Sequence, residues 1–276
     1  MGTIEQSQLA ERIESQTVEN LISIAGEELR TTLGLESRRI GGGIGVRMTS
    51  APDFLYLTRV FALGIDAPFD QSALDESVDF LREAGGSVLA LQLAPQVETP
   101  EALALLELRG FTRGGSWSKM MRPVGEAPEM RTDLRIEQVG ADQAMELAQV
   151  EITGMKMPDF MLPWVAKQVS APGWSAWGAF DGDEMVACGL LFLRDGVAQL
   201  SGAATLPSHR GQGAQSALMK VRIEEAGRLG AKWVCAETGS ETLENPNASL
   251  HNMYRNGLEL LYERRNWLLR LPETTA

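Results

Sequence analysis

Residues 205 to 219, TLPSHRGQGAQSALM, hold the densest chemistry in the chain. Arg210 precedes Gly211, Gln212 and Gly213, and then Ala217, Leu218 and Val221 recur at helical spacing. Amides in the first turn of a helix have no partner inside it, and the helix dipole adds partial positive charge there. Glycines at that point keep Cβ atoms out of the path of a ligand. The result is a cradle for an anion, with the Arg210 guanidinium as a bidentate arm beside it. Each such charge interaction contributes roughly 0.3 to 2 kcal/mol, so several converging donors would hold a diphosphate. A bare Arg-Gly-x-Gly also reads as a plain surface turn. No Gly-Lys-Ser/Thr follows, which excludes a P-loop, and Ser216 stands where a dinucleotide fingerprint needs a third glycine. His209 and His251 are the only histidines and have no metal-ligand spacing. No metal is expected.

The elements around the loop are legible. WSAWGAF, DGDE and MVACGLLFL read as two strands joined by an Asp-Gly turn, and VAQLSGAATL as a third. A helix runs from Ala214 to a stop at Gly230, and KWVCAE is a short buried strand. Asn245-Pro246 predicts another helix start, ending at Asn256-Gly257, and LELLYERRNWLLR predicts two final strands. The earlier half repeats this order. It has a strand in FLYLTRVFAL and a helix in SALDESVDFLREAGG, with Ser72 and Asp75 placed as a capping box. Then come the strand SVLALQL, a helix from Thr99-Pro100 to Gly110, and strand pairs in FTRGGSWSKMMR. RRIGGGIGVRM alternates like a strand and is followed by no helix, so it is not read as a nucleotide loop. Where the later copy has PSHRGQGAQS the earlier has GIDAPFDQS, whose aspartates would repel a phosphate.

The linker-like stretch RPVGEAPEMRTD (122–133) separates the copies. The expected organisation is a domain at 1–125, a linker at 126–133 and a domain at 134–276. Each is an α+β domain with a mixed, mostly antiparallel sheet flanked by helices. With 276 residues, 44% hydrophobic and 22% charged, the chain is globular in composition. A formal charge of −12 argues against a nucleic-acid face. No stretch is long and apolar enough to span a membrane, and the polar, acidic start carries no signal pattern. Cys188 and Cys235 lie in apolar strands and read as buried thiols of a reducing compartment. The expected location is the cytoplasm, with oligomeric state, monomer or homodimer, left open.

TLPSHRGQGAQSAL resembles the signature of the GNAT N-acetyltransferase superfamily, namely Arg or Gln, two residues, Gly, one residue, then Gly or Ala. The element order down to NMYRNGL is similar too. The resemblance covers about 145 residues of the later half well and the earlier half in outline, implying a tandem arrangement with one intact acyl-CoA site. It implies that Arg210, Gly211, Gln212, Gly213, Ala214, Gln215 and Ser216 wrap the pyrophosphate of acetyl-CoA. Thr205 and Leu206 would pair with the pantetheine arm, in the gap where their strand splays from KWVCAE. Gln215 departs from the pattern.

Acetyl transfer to an amine needs a neutral amine, a donor for the oxyanion and a proton for the thiolate. The resemblance implies an oxyanion donor among the amides of Ala203 to Thr205. It puts a tyrosine acid at the position of Met253, so Tyr254, one step on, and Asn252 are the acid or coenzyme-contacting candidates, against plain packing or surface roles. Glu237, ending the second splayed strand, is the candidate base or a solvated strand end. His209 is expected to face solvent or phosphate and His251 the helix surface. Met residues, Phe160 and Trp164 in 151–174 would wall an acceptor pocket or simply pack an amphipathic helix. The reading is an N-acetyltransferase moving acetyl from acetyl-CoA to a small-molecule amine by direct transfer. The alternatives are a catalytically degenerate binding module, and an enzyme acting on a protein or peptide amine. Gly213→Glu is expected to abolish coenzyme binding while leaving the fold intact.

Overall fold

The computed structural model describes residues 3–272, which form two compact units, 3–119 with 260–272, and 120–259. The chain runs through α1 (Ile4–Ile24), α2 (Gly26–Leu33), β1 (Leu35–Ile40), β2 (Gly43–Met48), β3 (Arg59–Phe61), α3 (Gln71–Arg82), β4 (Val88–Leu93), α4 (Pro100–Leu108) and β5 (Thr112–Pro123). It continues with β6 (Arg135–Gln138), α5 (Ala144–Met155), α6 (Leu162–Gln168), β7 (Trp174–Asp181), β8 (Glu184–Arg194), β9 (Val197–Thr205), α7 (Ala214–Arg228), β10 (Trp233–Gly239), α8 (Ala248–Arg255) and β11 (Glu259–Arg270). From α1 to β5 and again from α5 to β11 the order is helix, helix, three strands, helix, strand, helix, strand. The repeat seen in the sequence is a repeat of structure. Residues 126–132 carry no helix or strand.

In the first unit the strand order begins β1-β2-β3-β4-β11, antiparallel except for β3 and β4, which are parallel. The last strand of the second repeat therefore lies beside β4, with Arg265 opposite Leu93 and Arg270 opposite Val88. This partition takes 260–272 out of the domain expected at 134–276, because β11 completes a ladder with β4 rather than ending beside β10. In the second unit the order β10-β9-β8-β7-β6 is again antiparallel apart from the parallel pair β9 and β10. Gly41 and Gly42, both at positive φ, turn β1 into β2, so RRIGGGIGVRM is a hairpin.

Four local expectations change. The α3 cap is Asp70, whose carboxylate accepts from the Ala73 amide at 3.0 Å, and Ser72 already lies inside the helix. The α8 cap is Asn247, accepting from the Ser249 and Leu250 amides, two residues after the predicted start. FTRGGSWSKMMR and LELLYERRNWLLR are each one long strand, not a pair. The second stretch holds no turn dipeptide, and in the first Gly114 and Gly115, neither at positive φ, stay extended inside β5. FLYLTRVFAL contributes only the three-residue strand β3.

Helix α7 packs Met219, Ile223 and Ala226 against Leu191, Ala198 and Val234 of the sheet, while Leu250 and Met253 of α8 join the same core. A fully buried side chain of this size contributes about 1.5–3 kcal/mol. Gly230, at φ +84°, stops α7, and the Ala231 amide reaches back to Ala226 O at 2.9 Å. That packing fixes where the start of α7 points.

Candidate functional site

Strand β9 leads through a short turn, Pro207–His209, to Arg210 and the two glycines. Gly211 and Gly213 stand at φ +82° and +81°, conformations that favour glycine. Gly213 is the N-cap of α7 and has no side chain to cap it. The backbone bond from Ala217 to Gly213 O, at 3.1 Å, opens the helical ladder, so the amides from Gly211 to Ser216 lie ahead of it. The matching helix of the first unit, α3, has its N-terminus filled by the Asp70 carboxylate. One copy closes its helix start with an anion of its own; the other leaves the start open.

The two glycines serve different ends. A Cβ on Gly211 would meet nothing within 4 Å, whereas a Cβ on Gly213 would fall 2.3 Å from the Arg131 carbonyl oxygen. The Thr132 hydroxyl donates to Gln212 O at 2.8 Å, so residues 131–132 are laced to the loop. Gly213→Glu would displace that segment, and the expectation that it leaves the fold intact is corrected. Arg210 is exposed and donates to Gly154 O, at the end of α5, at 3.3 Å. Gln215 turns away from the loop, its amide reaching Ala204 O at 2.6 Å, Thr205 Oγ1 at 3.0 Å and Cys188 O at 3.1 Å. Its departure from the glycine pattern thus fastens α7 to β8 and β9.

Beside the loop the parallel ladder is short. Val197, Ala198 and Gln199 pair with Trp233, Val234 and Cys235, after which β9 continues to Thr205 and β10 to Gly239. Ser201, Gly202 and Ala203 are partly or fully exposed along the rest of β9, and Glu237 and Thr238 are half-buried on β10. The register between β8 and β9 shifts between Cys188 and Leu190, where Gly202 and Ala203 form a bulge with Gly202 at φ +51°. A bulge re-aims local backbone groups. Arg222 of α7, fully buried, holds it by donating to Leu190 O at 3.0 Å and Ser201 O at 3.2 Å. Burial lowers the Arg222 pKa to about 10, so it remains a cation at neutral pH.

Across the strand from Arg222 lies Glu151 of α5. A Cβ on Gly202 would sit 2.9 and 3.1 Å from its two carboxylate oxygens. One turn along the same helix, Gly154 allows contact with Ala204, since a Cβ there would be 2.8 Å from the Ala204 methyl. Glu151 is 5% exposed, and its Oε2 is buried with no hydrogen-bond partner. Burial raises its pKa to about 7. Burial also pushes the nearby Cys188 thiol up, with a further push from Glu151. Both cysteines are buried and neither forms a disulfide.

Of the residues singled out from the sequence, the structure gathers Thr205, Arg210 to Ser216 and Asn252. Asn252 Oδ1 accepts from Ser216 Oγ at 3.2 Å and from Arg255, tying α8 to the first turn of α7. The Leu206 amide donates to Val186 O and its carbonyl accepts from the His209 amide, both at 2.9 Å, so its backbone is engaged within the chain. Tyr254 is 46% exposed, while Met253 points into the core. His209 is mostly covered rather than solvent-facing, with Ser208 Oγ at 2.9 Å and Asp181 at 3.3 Å. His251 pairs with Glu241 at the surface. Trp164 is core, and Phe160 and Met155 are exposed, so Trp164 walls no open pocket. Glu151 and Arg222 were missed. The signal was there, because each is a charge at a position where helical spacing calls for an apolar residue. Among the described residues no group of acids, histidines and cysteines could hold a metal, and no helix is long and apolar enough to cross a membrane.

Residues 142–258 match the model of the Acetyltransferase (GNAT) family. Among solved structures the chain is similar to a GCN5-related N-acetyltransferase from Kribbella flavida, with TM-score 0.64 and 18% identity, over 96% of this chain and 97% of that one. It is similar to a tandem GNAT protein from the clavulanic acid biosynthesis pathway, with TM-score 0.57 and 13% identity, over 85% and 82%. A GCN5-related N-acetyltransferase from Sphaerobacter thermophilus gives TM-score 0.55 and 14% identity, over 72% and 66%. At these identities the likeness establishes the fold, two tandem GNAT-like domains. No curated protein matches the sequence.

Proposed function

We propose that the chain, whose residues 142–258 match the acetyltransferase (GNAT) family model, transfers acetyl from acetyl-CoA to the amine of a small molecule. The observation that carries this reading is the helix start at Gly213, uncapped by any side chain and opening beside the gap between β9 and β10. In this reading the amides from Gly211 to Ser216 bind the pyrophosphate, and Arg210 leaves Gly154 O to join them. Thr205 and the strand before it line the gap for the pantetheine arm. The bulge amides near Gly202 and Ala203 face the developing oxyanion, and Arg222, bonded to Ser201 O, polarises the peptide that carries the Gly202 N–H. The thioester supplies an activated acyl group, and transfer to nitrogen is direct. Glu237, half-buried at the end of β10, lines the acceptor side. The first unit, whose α3 is closed by Asp70, serves a structural role.

Calorimetric titration with acetyl-CoA tests the reading. One site per chain is expected, weakened about tenfold or more in Arg210→Ala, which removes an exposed side chain from the loop. Unchanged affinity in that variant sinks the cradle assignment, and two sites per chain would mean that α3 binds as well. The buried Met253 and the exposed Tyr254 favour a second reading, a module that binds acyl-CoA without turnover. Coenzyme release with a series of amines separates the two.

A further inference from the structure

Four buried glutamates are found among the described residues: Glu11, Glu14, Glu151 and Glu225. Glu11 and Glu14 pair with Arg264, and Glu225 pairs with Arg228. Glu151 has no such cation, and it lies against the β9 bulge at Gly202, past the last residues of β9 that pair with β10. A carboxylate stripped of water and left without a partner is costly unless a ligand supplies the partner. We infer that Glu151 takes the proton of the acceptor, and that the acceptor is a small primary amine arriving as its ammonium ion. The inference rests on the acetyl-transfer reading and names the acceptor class for that site.

The geometry limits what can reach the carboxyl. Gly202 leaves no side chain between Glu151 and the backbone of β9, and a Cβ there would also strike Leu190 at 2.4 Å. Ala203, next along the bulge, is exposed. A nitrogen that meets Glu151 at Gly202 is therefore beside the amides that face the thioester oxygen. The covered carboxyl admits a slim group, an NH3+ on an unbranched carbon, better than a bulky one.

The ammonium gives one proton to a Glu151 oxygen, freeing the nitrogen lone pair. That nitrogen bonds to the thioester carbonyl carbon, the C–S bond breaks with its electron pair on sulfur, and a second nitrogen proton ends on the thiolate. Glu151 then returns its proton to water. The products are an N-alkylacetamide, the free thiol and one released proton.

Few other groups face Glu151. Cys188 is the ionisable neighbour on β8, and its thiol is held protonated by burial. On β9 it is Gly202 that lies against the carboxylate, with Ala204 beside Gly154 one turn along α5. Arg210 touches the end of α5 at Gly154 O, and the one charge on α6 is the exposed Lys167. Burial is the cause of the raised Glu151 pKa of about 7, which suits a base working near neutrality.

The test compares the full-length protein with Glu151→Gln. The protonated-carboxyl infrared band that this substitution removes belongs to Glu151. At pH 6, saturation of the wild type with n-alkylamines from ethylamine to hexylamine should convert that band to carboxylate; a band unchanged by every amine overturns the inference. With acetyl-CoA present, wild-type kcat/KM should rise with pH to a break near neutrality. Glu151→Gln should lose the break and about 10²- to 10⁴-fold in rate, with Glu151→Asp recovering part. A retained break and a rate within threefold of wild type would also overturn it. Acetyl-CoA affinity, expected unchanged in Glu151→Gln, reports separately on the acetyl-transfer reading.

Discussion

Replacing Glu151 with glutamine should reverse part of the pH dependence of stability without any substrate present. The carboxyl's pKa rises from its ordinary 4.5 to about 7 in the folded chain, through burial. A raised pKa means that the folded state holds the proton more tightly than the unfolded one. The stabilising contribution is then complete below pH 4.5 and is lost as pH rises towards and through 7. At about 1.4 kcal/mol for each pH unit, the loss amounts to about 3 kcal/mol. Glutamine keeps the shape and cannot ionise, so the variant should not pay it. Urea unfolding at a series of pH values between 4.5 and 8.5 measures the difference. The variant should gain on the wild type by about 3 kcal/mol across that range, separating their midpoints by about 1 M or more. A constant gap would refute the claim that this carboxyl is buried without a partner. A wild type that gains on the variant as pH rises would show that a cation does pair with it.

Two further outcomes follow from the geometry. Gly213→Ala meets both a positive φ and the Arg131 carbonyl, so it should cost about 1–3 kcal/mol and weaken acetyl-CoA binding. Gly211→Ala meets only the positive φ, and thermal melts should rank it as the milder change. In the first unit, Glu14 is buried between Arg59 at 3.0 Å, Lys119 at 2.8 Å and Arg264. Burial alone would raise its pKa, but Arg264, Lys119 and Arg59 hold it well below the usual carboxylate value. Its contribution is present above the unfolded pKa and is lost as pH falls through the folded one. Glu14→Gln should cost about 3–5 kcal/mol at pH 7, with a narrower gap in acid, measured by denaturant unfolding.

Where the chain obeys simple periodicity, its sequence was readable. The strands β7, β8 and β9 and the start of α7 at Ala214 follow from apolar runs, turn dipeptides and glycine, because those signals act locally. Helix α1 went unread because it buries Glu11, Glu14 and Ser15 where a helix of this kind buries apolar groups. Those acids are satisfied by Arg59, Lys119, Tyr262 and Arg264, between 45 and 253 residues away in sequence. A pattern that depends on such distant partners has no local period. Glu151 differs, since its place on the apolar face of α5 was legible as a misplaced charge, but its contact with Gly202 on another element was not. The place of β11 beside β4 pairs residues far apart in the chain, which no local signal announces.

The two copies share an element order and a parallel strand pair, yet differ at one atom group that decides their chemistry. At Asp70 the side chain supplies the anion that a helix start attracts, at 3.0 Å from the Ala73 amide. At Gly213 nothing does. A capping carboxylate is worth about 1 kcal/mol to its helix, so the later copy gives up that stability. What it gains is a set of amides available to an external anion, joined by Arg210 on one side and by the segment 131–132 on the other. In the proposed acetyl-transfer reading, the open start of α7 is where the later copy holds its coenzyme, and the carboxylate at the start of α3 is why the earlier copy does not.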